Sequence, residues 1–243
     1  MSTNEISIEF LTENAVMLLW PEQIDDAQHR QIRHIQAAAN ERLNKHLIDS
    51  VVGYNSLVIY YHFEAIAPEA LYAELETIIQ RVQQEAQSNS HSNDTANEPT
   101  IQIPVLYNEI AGWDLANVAK RSGLTTDDVI QLHSQTHYRA YALGFMPGFC
   151  YLASIEDDLV LPRKPTPRLS VPAGAVAIAG NQTAVYPSTS PGGWHIIGQT
   201  PLQMYSLTPQ FSPTISVGDT VCFKPITEDE FIKLGGLVAQ EQQ

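Results

Sequence analysis

Ile6, Ile8 and Phe10 alternate with polar Ser7 and Glu9, residues 15–20 are apolar throughout, and the turn-forming trio Thr12-Glu13-Asn14 separates the two runs, which predicts a β-hairpin. From Pro21 the period lengthens. Ile24, Ala27, Ile32, Ile35, Ala39, Leu43 and Leu47 recur every three to five residues with Gln, Arg, Asn and Glu between them, which predicts an amphipathic helix to about Leu47. Two further strands are predicted over 51–54 and 57–62, around Asn55-Ser56. Pro68 then opens a second helix, where its missing N–H costs nothing, with Leu71, Leu75, Ile78, Ile79 and Val82 as its apolar stripe. The order ββαββα implies a compact α/β sandwich over residues 1–85, one sheet backed by two helices.

Residues 86–100 hold almost nothing to bury and read as a linker, which places a second domain over 101–243. That domain opens with a strand over 101–107, in which Pro104 requires an edge or first position. Asp114 is placed to cap a helix over 115–122 that Gly123 closes, and Thr125-Thr126-Asp127-Asp128 resembles a capping box opening a helix to about Ser134. Between 144 and 201 glycine and proline are dense enough to exclude helix, leaving short β-type pieces at 175–178, 183–186 and 194–197. A barrel or sandwich with elaborate loops is the architecture that suits them. A strand over 202–207, a Gly218-Asp219 turn into a last strand, and a capping box at Thr227–Glu230 opening a helix over 228–234 before a frayed end complete the reading.

Composition narrows the function. The 243 residues are 44% hydrophobic and 16% charged, as in ordinary globular proteins. With 13 basic against 27 acidic residues the formal charge is −14, which repels phosphate backbones and anionic lipid. The two short helices joined at Gly123 are no DNA-reading pair, because the second carries Asp127 and Asp128 and no Lys or Arg. No apolar run approaches membrane-spanning length and the N-terminus lacks a signal-like pattern, so a cytoplasmic location is expected. Cys150 and Cys222 lack metal or disulfide spacing and are expected to be reduced and buried. His29, His34 and His46 read as solvated, and His91 stands alone in the linker. His133 and His137, four apart, share one face of a continuous helix but lack the Glu of H-E-x-x-H, so no metal site is predicted.

Chemistry concentrates in the Gly/Pro-rich stretch. Arg163 and Arg168 sit in Pro-Arg-Lys-Pro-Thr-Pro-Arg, a segment too stiff to fray, and held guanidinium forks suit a carboxylate or phosphate. The alternative is that they tie this loop to a barrel carbonyl or carboxylate. Pro191-Gly192-Gly193-Trp194 brings backbone N–H groups next to a large aromatic, as in the wall of an anion-accepting pocket.

Five ordered motifs, Gly-Phe-x-Pro-Gly-Phe-x-Tyr-Leu at 144–152, Pro-Arg-x-x-x-Pro-Arg at 162–168, Val-Pro-Ala-Gly-x-Val-x-Ile-Ala-Gly at 171–180, Gln-Thr-x-x-Tyr-Pro at 182–187 and Pro-Gly-Gly-Trp-x-Ile-Ile-Gly-x-Thr at 191–200, resemble the KipI/PxpB family. The resemblance implies an α+β protein, an N-terminal α/β sandwich followed by a cyclophilin-like β-barrel. It implies a subunit of a 5-oxoprolinase complex that opens 5-oxo-L-proline to L-glutamate at the expense of ATP. The partners would be a related second subunit (PxpC/KipA-like) and a larger one (PxpA-like). Two alternatives come with it: an inhibitor of a sensor histidine kinase, or a carboxyltransferase-like piece of a urea or allophanate system lacking the biotin-acceptor Met-Lys-Met. On this reading Arg163 and Arg168 hold a substrate carboxylate or a phosphate oxygen, and Gln182 and Thr183 hydrogen-bond the lactam. Gly192, Gly193 and Trp194 form the wall, and His195, with Arg168 beside it, is the proton-transfer candidate. His133, in a Leu-His-Ser element, is a candidate for a structural or active-site hydrogen bond. No Walker A sequence is present, so ATP would bind elsewhere or across a subunit interface. The sequence departs from the family pattern at Ala175, Ala177 and Ala184, which stand for Ser, Gly and Gly; alanine excludes a positive φ at the latter two.

Overall fold

The computed structural model describes residues 6–88 and 100–237. The chain divides into two compact units, residues 1–97 and 98–243. In the first, β1 (Ser7–Thr12) and β2 (Ala15–Leu19) form the expected hairpin, followed by α1 (Asp26–Arg42), β3 (Leu47–Val52), β4 (Ser56–Tyr61) and α2 (Pro68–Ser88). The four-stranded antiparallel sheet has the order β1-β2-β4-β3. Val16, Leu18, Leu57, Ile59 and Tyr61 alternate onto its buried face, and the predicted α2 stripe is buried throughout.

The first helix is shorter than its apolar period. It starts where the Asp25 carboxylate accepts a hydrogen bond from the Gln28 amide at 2.7 Å, and Leu47 already belongs to β3. His29 is 1% exposed, contrary to its reading as solvated, because it falls in register with Ile32, Ile35 and Ala39. His46 is half-buried, whereas His34 is exposed. Helix α2 runs three residues into the tract assigned to a linker; the rest of that tract to Pro99, with His91, lies outside the described residues.

The second unit opens with β5 (Thr100–Val105), α3 (Leu115–Ser122), α4 (Thr126–Gln135), β6 (Tyr138–Leu143) and β7 (Cys150–Ala153). Then come β8 (Arg168–Val171), β9 (Ala175–Ala179), β10 (Gln182–Val185), β11 (Ser190–Gly192), β12 (His195–Gln199), two-residue β13 (Tyr205–Ser206) and β14 (Ser212–Pro213), β15 (Thr220–Pro225) and α5 (Glu228–Lys233). Seven strands pair in the order β12-β9-β10-β7-β6-β15-β5, antiparallel except where β15 lies parallel to β5. The sheet closes on itself just past β5, where Leu106 and Gln199 exchange both backbone hydrogen bonds, at 2.8 and 3.0 Å. The second unit is therefore a closed barrel with Pro104 on its terminal strand.

Alternation along each strand separates inside from outside. Val176 and Ile178 of β9, Val185 of β10, Ile197 of β12 and Cys150 and Leu152 of β7 join the interior core, with Leu115, Val118 and Val129 of α3 and α4 packed into the same cluster. Ala175, Ala177, Ala179 and Ala184 face outward into a second cluster; all four are in extended strands, so the loss of glycine at 177 and 184 has no backbone consequence. Both downstream capping boxes form, at Thr125/Asp128 and Thr227/Glu230, and Gly123 closes α3 in the left-handed region at φ 70°. The strand expected over 202–207 reduces to β13, and residues 238–243, expected to fray, lie outside the described residues. Cys150 is buried but Cys222, on the outer side of β15, is only partly so. Helix α4 ends at Gln135, so exposed His137 does not share a helix face with His133. Among the described residues no helix is long and apolar enough to cross a membrane, and no three His, Cys, Asp or Glu side chains are grouped as metal ligands.

Candidate functional site

On the outer wall of the barrel, β7, β9, β10 and β12 and the residues that flank them turn small alanines and large aromatics to the same side. The floor is alanine. Phe149 is the hub of the aromatics above it, meeting Tyr151, Tyr186 and Trp194 edge-on at ring separations of 4.9, 5.5 and 5.8 Å. The turn that delivers Phe149 needs Gly148 at φ 81°, and holds Phe145 at φ 70° with its ring 62% exposed beside Phe149. The β8–β11 ribbon and the stiff loop 162–167 form the opposite wall, which Lys164 fastens by donating its backbone N–H to the Gly193 carbonyl at 2.8 Å.

Between these walls lies a cavity of about 280 Å³. Phe145, Phe149, Tyr151, Tyr186 and Trp194 line one side; Arg163, Lys164, Pro167, Pro191, Gly192 and Gly193 line the other. The volume lies at the small end for ligand pockets and suits a metabolite. Gly192 is required here, since a Cβ would collide with the Tyr186 hydroxyl. Tyr186 is nearly buried; burial pushes its phenol up to about 12, against the hydrogen bond from the Trp194 amide and the nearby Arg163 and Arg168 charges, so it stays a neutral donor.

Three cations stand close together in sequence, Arg163 and Lys164 on this loop and Arg168 at the start of β8, and the Asp114 carboxylate answers the last two. Asp114 is expected from the sequence to cap α3, but its side chain makes no capping bond. Instead its Oδ2 accepts from Arg168 Nη1 and the Ile196 amide, each at 2.8 Å, and its Oδ1 accepts from Lys164 Nζ at 2.7 Å and Arg168 Nη2 at 3.0 Å. Burial alone would raise the Asp114 pKa; the Arg168, Lys164 and Ile196 hydrogen bonds outweigh it and hold the carboxyl below its ordinary value. Arg168 also lies 5.4 Å over the Trp113 ring. It is thus tied to a barrel carboxylate, and its role as a direct substrate fork does not hold. Arg163 is different. Its guanidinium lies 5.9 Å over Trp194 at the cavity, exposed and without an ion pair among the described residues.

The other sequence candidates divide by strand alternation. Gly192, Gly193 and Trp194 line the cavity as expected. Thr183 does not: it is fully buried on the inner side of β10, where its hydroxyl donates to the Ala177 carbonyl at 3.2 Å and meets His133 Nε2 at 2.8 Å. Gln182, half-buried at the start of β10, is not among the lining residues. His195, next to Trp194 in an extended strand, faces away; its Nε2 donates to the Pro162 carbonyl at 2.9 Å, and its Nδ1 is buried without a partner among the described residues. A ring sealed in that way cannot relay a proton to the cavity. His133 is structural: Tyr107 donates to its Nδ1 at 2.7 Å, and burial lowers its pKa from 6.5 to about 3. Phe145, Phe149, Tyr151, Lys164 and Tyr186 escape sequence reasoning as site residues, although the i, i+2 spacings 149/151 and 184/186 carry the signal.

Residues 6–214 match the family described as carboxyltransferase domain, subdomain C and D. The chain is similar to the B subunit of 5-oxoprolinase from Bacillus subtilis (strain 168), 33% identical over 94% of this chain and 96% of that protein. It is also similar to the 5-oxoprolinase B subunit of Haemophilus influenzae, 34% identical over 88% and 94%. Among solved structures it resembles TTHA0988, at 34% identity and a TM-score of 0.73 over 88% of this chain, and spans only 39% of that longer protein. The Kluyveromyces lactis urea amidolyase shares the fold alone, at 15% identity and a TM-score of 0.71 over 95% of this chain and 15% of that one.

Proposed function

The chain belongs to the carboxyltransferase-domain, subdomain C and D family, within its KipI/PxpB group, and on that premise we propose that it is the B subunit of a complex that hydrolyses 5-oxo-L-proline to L-glutamate. The observation that carries this reading is the coincidence of two facts. The relatives named as 5-oxoprolinase B subunits match along almost their whole length, and four of the five sequence motifs, at 144–152, 162–168, 182–187 and 191–200, contribute residues to one cavity of metabolite size.

A five-membered lactam is a resonance-stabilised amide without ring strain, so opening it benefits from converting its oxygen into a better leaving group, for which ATP is the co-substrate. Such chemistry calls for positioned cations and dipoles. In this reading the flat ring lies among Phe149, Tyr186 and Trp194, and Arg163 takes the carboxylate. The Tyr186 hydroxyl donates to the lactam oxygen, and Gly192 and Gly193 let the ligand approach the backbone closely. ATP binds on a partner or at a shared interface, since the chain has no phosphate-binding glycine loop of the Walker type. The partners are a PxpC/KipA-like subunit and a larger PxpA-like one, in the cytoplasm.

The test is ATP-dependent glutamate formation by this protein together with its cognate second and third subunits. Activity requiring all of them is expected, and Arg163→Ala should lower kcat/KM for 5-oxoproline at least about tenfold, the loss of one charge-assisted bond. No glutamate from the full set of subunits would discard the function. Biotin-dependent carboxyl transfer in its place would assign the chain to the carboxyltransferase alternative.

A further inference from the structure

The charges around the cavity do not cancel. Asp114 is the carboxylate that pairs with Lys164 and Arg168, and Arg168 meets it with two parallel bonds, from Nη1 to Oδ2 at 2.8 Å and from Nη2 to Oδ1 at 3.0 Å. The Ile196 amide adds a third bond, at 2.8 Å. Lys164 supplies a fourth, at 2.7 Å, to a carboxylate that is already neutralised. Of the three side chains in this cluster Lys164 is the most accessible, 24% exposed against 14% for Arg168 and 5% for Asp114, and it lines the cavity. Its backbone is pinned to the Gly193 carbonyl, so the ammonium can change partner without moving the loop. With Arg163 counted, this wall carries two positive charges beyond what Asp114 balances, in a chain whose formal charge is −14.

We propose that Lys164 is a second ligand-binding cation, held on Asp114 while the cavity is empty and transferred to the ligand when it enters, so that the cavity prefers a doubly negative phosphoryl group to a single carboxylate. A monoanion needs Arg163 alone. A phosphoryl dianion offers enough acceptor oxygens to draw the Lys164 ammonium across as well, and Asp114 keeps Arg168 and the Ile196 amide when it leaves. The inference rests on the cavity being the ligand site, and it extends the proposed function by giving the cavity a phosphorylated ligand.

The experiment is calorimetric titration of the full chain with inorganic phosphate and with acetate at constant ionic strength near pH 7.5. Phosphate should bind at least about tenfold more tightly than acetate, one charge-assisted bond expressed as affinity. Lys164→Met should remove that preference with less than about a twofold effect on acetate, and Lys164→Arg should restore it. Arg163→Ala should weaken both anions. Thermal melts would confirm that the variants are folded, as the Asp114–Arg168 bonds predict. If phosphate binding survives Lys164→Met unchanged, the second-cation assignment is wrong while the cavity remains an anion site. If neither anion binds and Arg163→Ala changes nothing, the cavity is no anion site and both ideas fail. Anion binding in a protein that forms no glutamate with its partners would overturn only the 5-oxoproline reading.

Discussion

Inside the barrel, His133 is bonded at both ring nitrogens and shut off from water, whereas on the outer wall Arg163 lies over an aromatic ring with its donors open to a cavity. The interior set runs in one direction. The Tyr107 hydroxyl donates to His133 Nδ1, His133 Nε2–H donates to Thr183, and Thr183 donates to the Ala177 carbonyl. Every donor in that series has an acceptor, so nothing remains for a ligand to satisfy. The outer cluster is made of charged groups in a different balance: Arg163, Lys164 and the Tyr186 hydroxyl line the cavity, with the Asp114–Arg168 pair behind Lys164. A closed inventory marks structure; an unbalanced one beside an opening marks a site.

The largest expected effect comes from upsetting that balance. Asp114→Ala leaves Arg168 and Lys164 without their counter-charge and the Ile196 amide without its carboxylate acceptor, and should cost about 3–5 kcal/mol in chemical denaturation. A loss below about 1 kcal/mol would show that solvent already screens the cluster. Next comes Thr183→Val, which strands the His133 Nε2–H in the core and should cost about 2 kcal/mol while leaving anion binding intact. Lost binding with normal stability would instead place Thr183 at the ligand.

The smallest effect is in the pH dependence. His133 titrates near 6.5 when unfolded and near 3 when folded, so below its unfolded pKa the unfolded chain holds the extra proton and stability falls with acidification. Between about pH 7 and about pH 5.5 this contributes a loss of about 1 kcal/mol, which His133→Gln should remove. The Asp114 contribution, from a lowered carboxyl, is present above its ordinary value and disappears only at more acidic pH, so the two windows separate. Parallel pH profiles for wild type and His133→Gln would mean that His133 is reached by protons after all.

Much of this is legible in the chain. The hairpin, the α2 stripe, both capping boxes and the Gly123 terminus follow from local rules and form where those rules put them. The motif block also holds the cavity. Choosing residues within it is where motif membership misleads, and strand alternation explains how. Thr183 and Gln182 cannot share one side of β10, nor can His195 at the start of β12 point the same way as Trp194 just before it, yet the motifs offer all four to a single ligand. The members of the cavity are the i, i+2 companions, Phe149 with Tyr151.

Residue types and their periods were enough to determine the helices, the turns and the stretch in which chemistry would gather, because each depends on neighbours within a few positions. Which arginine is free and which is bound depended on a carboxylate 54 residues away in sequence, brought to Arg168 only when the barrel closes and β12 comes to lie against the start of α3. Asp114 had two physically sound uses, capping its own helix or neutralising a distant fork. The tertiary structure chose the second because a half-buried pair of cations needs a counter-charge more than an exposed helix end needs one more acceptor.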